Sequence, residues 1–304
     1  MNNIKKTYVL NLKKRIDKYN FMIFKLHDVG ITNYEFFHGI DGSIDEYSKK
    51  IFAEYNKKIT KDDYVLPNMT YIRNTSTYAI IFSFKLLFNK IISENDDNDY
   101  ILILEDDIIF HKQFNLKNLS CYDEDVLYLG ANQLSWNDIN LNKNNRYCLV
   151  SNKKSITYGM YAIRYKVSFL KKFYKKWFCN DLNENTYREY SMKIRKPIDY
   201  LLWKFIIENK ISNNVIFPNL IIPNLLSSNN MGDRNIHSIA RFKKWNLNFY
   251  RYFDLEMNYY LIYSNLINND VCTDINKNKN FSNLTYDDIV KIAKGTYVKS
   301  CFLQ

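Results

Sequence analysis

The order of apolar and polar positions divides the first part of the chain into strands and a helix. Residues 7–12, TYVLNL, form a short, mainly apolar run that is typical of a buried strand. The next apolar residues recur at helical spacing, namely Ile16, Tyr19, Ile23 and Leu26. Gly30 fits the C-terminal cap of that helix, and residues 34–42 read as a second strand ending in a turn. The first 42 residues therefore predict a strand–helix–strand unit, the start of a parallel sheet.

The pattern of apolar and polar positions predicts further helices and strands after residue 42. Residues 43–73 predict a loop with a short helix, and residues 75–95 predict a helix that is apolar nearly all round, with N-caps available at residues 75–77. Further strands are predicted at residues 101–104, 125–130, 155–165 and 213–217, and further helices after residue 165 and from Pro197. This order predicts an α/β fold with a mostly parallel central sheet flanked by helices.

The C-terminal part differs in composition from the rest. From residue 241 the sequence is rich in aromatic residues and predicts helices separated by an Asn/Lys-rich break. We therefore divide the chain into an α/β domain at 1–240 and a helical extension at 241–304. The extension could pack on the domain, mediate a homodimer or meet a membrane surface, and packing on the domain is the simplest expectation.

Composition and charge narrow the classes of function. Hydrophobic residues make up 46% of the 304 residues, which is enough for a large core and argues against long disordered stretches. Seven glycines leave no Gly-rich phosphate loop. The net charge of +11 could attract nucleic acid, but the chain is dominated by residues with AT-rich codons, and genome bias explains much of the charge. We expect no nucleic-acid partner.

Cysteine usage and the N-terminal sequence bear on location. Five widely spaced cysteines without a CxxC pair read as free thiols in a reducing compartment. The start of the chain has no apolar signal region, and no window holds 18 apolar residues. We expect a soluble protein, cytoplasmic or otherwise intracellular, from an AT-rich genome such as that of a bacterium or a large DNA virus.

Three consecutive acids interrupt the apolar stretch ILILEDDIIF at residues 101–110. If the segment stays extended, Glu105 and Asp107 point to one face and Asp106 to the other. Two like charges about 4 Å apart repel by about 4 kcal/mol at an effective dielectric constant of about 20. The acids could sit at an exposed strand end, pair with Lys or Arg, or hold a hard divalent ion. Their place after a central strand favours a ligand site, because ligands of open α/β sheets bind beyond the carboxyl ends of strands.

Several segments resemble glycosyltransferase family 25, which includes bacterial lipooligosaccharide and collagen galactosyltransferases. The resemblance covers about residues 4–240. The acidic segment ILEDDIIF is its most specific part. The other matching segments are, in chain order, YVLNLKKRIDK, FFHGIDG, DVLYLG, TYGMYAI, PIDYLLW and VIFPNL. One position departs from the family pattern: Phe84 follows Ser83 where a histidine is usual.

The resemblance implies a GT-A-like fold, a UDP-sugar donor and Mn²⁺ or another divalent cation. By analogy with the GT-A pattern, Asp107 would bind the metal. Glu105, on the same face, would be a second metal ligand or a ribose contact. Asp106 would contact the donor or a neighbouring lysine. A divalent ion held by carboxylates suits a diphosphate leaving group, because the ion stabilises the negative charge that develops on it.

Four further residues are candidates for the site. Asn11 and Arg15 lie where the first strand meets its helix, a nucleotide-side position by the switch-point rule, although Arg15 could also be an ordinary surface residue. Asp199, in KPIDY, is the candidate general base, and an Asp in a first helical turn is also favoured by the helix dipole. His237 could be a late metal ligand of the kind that several GT-A enzymes have, or a solvated loop histidine.

The sequence thus predicts a metal-dependent glycosyltransferase that moves a galactose- or glucose-type hexose from a UDP-sugar to a saccharide or a hydroxylated protein. Inversion of configuration follows from the family resemblance. The alternative, motivated by Phe84, is a non-catalytic module that binds glycan or nucleotide on the same fold. A nucleotidyltransferase is a second alternative, and the missing Gly-rich phosphate loop counts against it.

Overall fold

The computed structural model describes residues 3–57, 72, 74–110, 114–132, 147–149, 157–178, 196–217 and 220–223. The strands in these ranges are β1 (Ile4–Leu12), β2 (Tyr34–Gly39), β3 (Tyr100–Glu105), β4 (Ile108–Phe110), β5 (Val126–Asn132), β6 (Tyr147–Leu149), β7 (Tyr158–Lys166), β8 (Asn213–Phe217) and β9 (Ile221–Pro223). The helices are α1 (Ile16–Asp28), α2 (Glu46–Asn56), α3 (Thr75–Glu94), α4 (Val167–Trp177) and α5 (Ile198–Glu208), with a 3-10 helix at Leu116–Cys121.

Seven strands form the central sheet in the order β2-β1-β3-β7-β5-β8-β6. β1 is parallel to β2 and β3, and β5 is parallel to β8. β7 lies between β3 and β5 and is antiparallel to both, and β6 is antiparallel to β8. Five of these seven strands therefore run in one direction, which confirms the predicted α/β fold with a mostly parallel sheet. The strand–helix–strand prediction for the first 42 residues is also confirmed.

Apolar side chains cover both faces of the sheet. On β3, Ile101 and Ile103 belong to the cluster that α2, α3, α4 and α5 bury. Leu102 and Leu104 belong to a second cluster, which includes Met22 from α1 together with residues of β4 and β9. Because side chains alternate along a strand, β3 needs apolar residues at successive positions to be buried on both faces. The run ILIL meets that requirement.

Two helix ends show how the local sequence sets the boundaries. Gly30 has a φ of +72°, the left-handed conformation that favours glycine, and it ends the α1 segment as predicted. The cap of α3 is Asn74, one residue before the predicted Thr75–Thr77, because its side chain accepts a hydrogen bond from the Thr77 N–H at 2.9 Å. α2 is the short helix expected between residues 43 and 73.

The extension at 241–304 lies outside the described residues, so its boundary, its packing on the domain and the alternative of a homodimer stay predictions. Within the described part of the chain, no helix combines the length and apolar character needed to cross a bilayer.

Candidate active site

A cleft opens at the carboxyl ends of β2, β1 and β3. The chain runs from β1 through α1 to β2 on one side, and β3 then lies on the other side of β1. Strand order reverses at this point, which is where open α/β sheets bind ligands. The cleft has a cavity volume of about 170 Å³ and opens to solvent. Its lining comprises residues 10–12, Lys14, residues 39–43, Ser76, Ile80, Ser83 and residues 105–107.

The three acids occupy the end of β3 and the turn that follows it. Glu105 is the last residue of β3, Asp106 and Asp107 form a turn, and β4 begins at Ile108 in a separate two-stranded sheet with β9. Because the backbone turns after Glu105, strand alternation does not continue. The alternation expected for an extended segment therefore does not apply to Asp106 and Asp107, and both carboxylates approach Lys18 of α1.

Lys18 lies beneath this acidic turn. Its Nζ is 3.2 Å from Oδ1 of Asp106 and 3.4 Å from Oδ2 of Asp107. Lys18 and Asp106 are each 6% exposed and Asp107 is 9% exposed, so these charges have little contact with solvent. Burying a carboxylate is costly unless it is paired and hydrogen-bonded, and the Lys18 ammonium meets that need for both side chains. Of the two contacts predicted for Asp106, the neighbouring lysine is present.

Asn11 connects the acidic turn to the ends of β1 and α1. Its Nδ2 donates to Oδ2 of Asp106 at 2.8 Å and to the carbonyl oxygen of Arg15 at 3.3 Å. The side chain is 2% exposed, and the residue lines the cleft. Asn11 is therefore placed at the site, where its amide fixes the orientation of the Asp106 carboxylate.

Arg15 lies beside the cleft and does not contribute to its lining. Its Nε and Nη2 bind the two carboxylate oxygens of Asp17 at 2.8 and 2.5 Å. The hydrogen bonds that Arg15 donates to Asp17 raise the pKa of Arg15. Burial opposes this rise, and the charges of Asp17, Asp106 and Asp107 add to it. The same pairing lowers the pKa of Asp17 to about 2. The negative charges of the acidic turn thus favour the charged form of the Arg15 guanidinium.

A second charged pair lies at the β2 end of the cleft. Lys14 Nζ is 2.5 Å from Oδ2 of Asp41, and Oδ1 of Asp41 accepts hydrogen bonds from the N–H and hydroxyl of Ser43 at 3.0 and 2.7 Å. Burial tends to raise the pKa of Asp41, but the hydrogen bonds from Lys14 and Ser43 outweigh it and hold the pKa below its usual value. The sequence predicted a turn here and no site residue.

The first half of α3 also lines the cleft, through Ser76, Ile80 and Ser83. Ser83 Oγ accepts the Ile40 N–H at 2.8 Å and donates to the Ala79 carbonyl oxygen at 2.6 Å, which joins the loop after β2 to the helix. Phe84, next to Ser83, is 0% exposed, and its ring centroid is 5.5 Å from that of Phe88 in the core. The departure from the family pattern thus lies in the core and outside the lining of the cleft.

Asp199 lies at the same edge of the sheet but is not part of the lining of the cleft. β7 runs antiparallel to β3, so its first residues lie at the edge where β3 ends. Gly159, at the start of β7, donates its N–H to Oδ2 of Asp199 at 3.4 Å, and the Tyr200 N–H donates to Oδ1 at 2.8 Å. Burial, and secondarily the Asp199 charge, raises the pKa of the Tyr128 hydroxyl well above its usual value. The hydrogen bonds from the Gly159 and Tyr200 N–H groups hold the Asp199 carboxylate at the start of α5.

Two acids of the cleft are candidate ligands of a divalent ion. Within the described ranges, no group of three or more His, Cys, Asp or Glu side chains is arranged to hold a metal. Glu105 and Asp107 both line the cleft. Hard divalent ions are often held by one or two carboxylates together with substrate phosphates and water. The two carboxylates fit an ion of that kind. The third predicted ligand, His237, lies outside the described residues and stays a prediction.

A Rossmann-like sheet with an acid-lined cleft at its switch point places the protein among the α/β enzymes. The chain belongs to glycosyltransferase family 25, because the model of that family, described as "Glycosyltransferase family 25 (LPS biosynthesis protein)", matches residues 4–192. The protein is therefore a glycosyltransferase. The matched residues include the whole lining of the cleft and end before Asp199. No curated protein matches the chain significantly.

Proposed function

We propose that the protein is a metal-dependent glycosyltransferase that moves a galactose- or glucose-type hexose from a UDP-sugar to a saccharide or a hydroxylated protein side chain. The observation that carries this proposal is the position of Glu105, Asp106 and Asp107, which line one cleft at the end of β3. Inversion of configuration is part of the proposal and rests on the family resemblance.

The chemistry of the acids supports a diphosphate donor with a divalent cation. Negative charge develops on the diphosphate as its bond to the sugar breaks, and carboxylates alone would repel that charge. Asp107 and Glu105 would hold the cation, which when bound supplies a Lewis acid. Asn11 and Lys18 fix the Asp106 carboxylate, so the turn is ordered before a donor binds.

The length of the cleft supports a nucleotide-sized donor. Its charged pair Lys14–Asp41 follows β2, and its acids follow β3, with β1 between them. Neighbouring strands are about 4.8 Å apart, so these two ends are separated by about 10 Å. We propose that the nucleoside lies toward the β2 end and the diphosphate toward the acids.

The proposal is tested by a donor screen that measures release of free nucleotide. We expect turnover of a UDP-sugar with Mn²⁺ and loss of that turnover in EDTA, restored by added Mn²⁺. Equal turnover in EDTA would contradict the metal requirement. Greater thermal stabilisation by nucleoside triphosphates than by nucleotide-sugars would favour a nucleotidyltransferase instead. Binding of a nucleotide-sugar without release of nucleotide would favour the non-catalytic alternative.

Substituting Gly42 by alanine is expected to weaken donor binding. A Cβ at this position would lie 2.6 Å from Cα and 2.8 Å from N of Ser76, so the loop at 39–43 or the start of α3 must shift. We expect KM for the donor to rise about tenfold, since misplacements of about 1 Å can cost that much or more. Overpacking should also destabilise the fold by about 1–3 kcal/mol. Donor titration and thermal unfolding would measure the two effects.

Gly30→Ala is the matched control for that variant. Gly30 has a φ of +72°, and a Cβ there would meet nothing within 4 Å. The left-handed backbone should cost about 1–2 kcal/mol without moving the cleft. If Gly42→Ala and Gly30→Ala lose similar stability and both keep the wild-type KM, the loop at 39–43 is not a wall of the donor site.

A further inference from the structure

Lys18 is a buried cation in direct contact with the acids of the cleft. Its burial is part of a pattern on α1, where the buried positions are Lys18, Met22 and Leu26. Lysine is almost never buried unless it is paired. Here its Nζ lies between two carboxylates on the turn after β3, at 3.2 Å from Asp106 and 3.4 Å from Asp107.

The two carboxylates differ in their other contacts. Oδ2 of Asp106 accepts a hydrogen bond from Asn11, which is itself 2% exposed, so Asp106 is held on both of its oxygens by Asn11 and Lys18. Asp107 shares the ammonium through Oδ2. The Lys18 charge therefore acts on the carboxylate that the proposed function assigns to the metal.

We propose that Lys18 is an internal counter-ion that competes with the divalent cation for Asp107. This inference rests on the proposed function. With no donor bound, the ammonium offsets one negative charge of the acidic turn and weakens the binding of a second cation beside it. A bound nucleoside diphosphate adds negative charge to the cleft, and this charge favours binding of the divalent cation. The cation therefore binds tightly only when the diphosphate is also bound. Lys18 acts as a positioning residue that sets this order of binding.

The test compares Mn²⁺ binding to the full-length protein, measured by electron paramagnetic resonance of free Mn²⁺, with and without UDP. Lys18→Met removes the charge, and Lys18→Gln removes the charge but keeps an amide that can donate to the carboxylates. Lys13→Met is the matched control, because Lys13 is exposed in the turn before α1, is not part of the cleft lining, and loses the same charge. Thermal unfolding in EDTA checks that each variant is folded.

We expect the wild type and Lys13→Met to bind Mn²⁺ weakly alone and much more tightly with UDP. Lys18→Met and Lys18→Gln should bind Mn²⁺ alone about tenfold more tightly or better, since a like charge a few ångström away is removed. Their gain from UDP should shrink accordingly. Mn²⁺ should also stabilise these two variants against heat more than it stabilises the wild type.

The result that overturns the inference is a folded Lys18→Gln or Lys18→Met protein with the same Mn²⁺ affinity as Lys13→Met, with and without UDP. Lys18 would then only attach α1 to the turn. Should Lys18→Met fail to fold, Lys18→Gln decides alone. Failure of the proposed function looks different, because then none of the proteins, wild type included, binds Mn²⁺ even when UDP is present, and the competition is refuted with it.

Discussion

Substituting Asp107 by asparagine is expected to reduce kcat/KM for sugar transfer by about a thousandfold. A metal ion contributes several kcal/mol of charge stabilisation in the transition state, and about 1.4 kcal/mol corresponds to tenfold in rate. Asn keeps the shape of the side chain but is a poor ligand for a hard cation. Release of UDP from the donor identified in the screen measures the effect, and Mn²⁺ titration should show weakened binding in the presence of UDP.

Two controls separate the chemistry of Asp107 from its structural contacts. Asp28→Asn removes an acidic charge from an exposed residue at the end of α1, away from the cleft, and should keep wild-type activity. Thermal unfolding of Asp107→Asn reports the cost of leaving Lys18 with Asp106 as its remaining carboxylate partner in this turn. An Asp107→Asn protein that retains a tenth or more of the wild-type kcat/KM would refute the assignment of Asp107 as the principal metal ligand.

Local sequence patterns predicted much of the fold because each of those elements carries its own signal. The run ILIL is apolar at successive positions, which suits a strand buried on both faces, and it forms β3. The acids that follow could not continue a buried strand, and the backbone does turn at Asp106 and Asp107. The switch-point rule predicted a ligand site at these acids, and they line the cleft at the end of β3.

The pairing of distant strands could not be predicted in this way. β7 enters the sheet between β3 and β5 and runs against both. Its neighbours are determined by packing among segments far apart in the chain, and the alternation within residues 155–165 carries no information about direction. The same holds for β4 and β9, which leave the main sheet and pair with each other.

Lys18 was not predicted as a site residue because lysine is an unexpected residue type at a buried position of a helix. Helical spacing suggested Ile16, Tyr19, Ile23 and Leu26 as the apolar face of α1, yet Ile16 is 66% exposed. The buried positions are four residues apart and begin with Lys18. A lysine at such a position is normally solvent-exposed. Only the acids brought in by β3, nearly 90 residues later, make its burial favourable, and no local pattern encodes that contact.

Asp199→Asn is expected to lower kcat by about a hundredfold and to leave KM for the donor near the wild-type value. Removal of a general base costs about 10²–10⁴ in rate, and Asn cannot accept the proton of the acceptor hydroxyl. Donor affinity should be preserved because Asp199 is not part of the cleft lining. The Asn oxygen can still accept a backbone N–H from Gly159 or Tyr200, so the start of α5 should stay in place.

Initial rates with the acceptor saturating, together with calorimetric titration of UDP, would measure the two effects of Asp199→Asn separately. Glu208→Gln is the matched control, because Glu208 is an exposed acid at the other end of α5 that pairs with Lys204. Asp199 at a helix N-terminus would by itself contribute about 0.3–1 kcal/mol of stability. If kcat stays within threefold of the wild type while Tm falls slightly, that helix-terminal role is the only one Asp199 has, and the proton of the acceptor must go to another group.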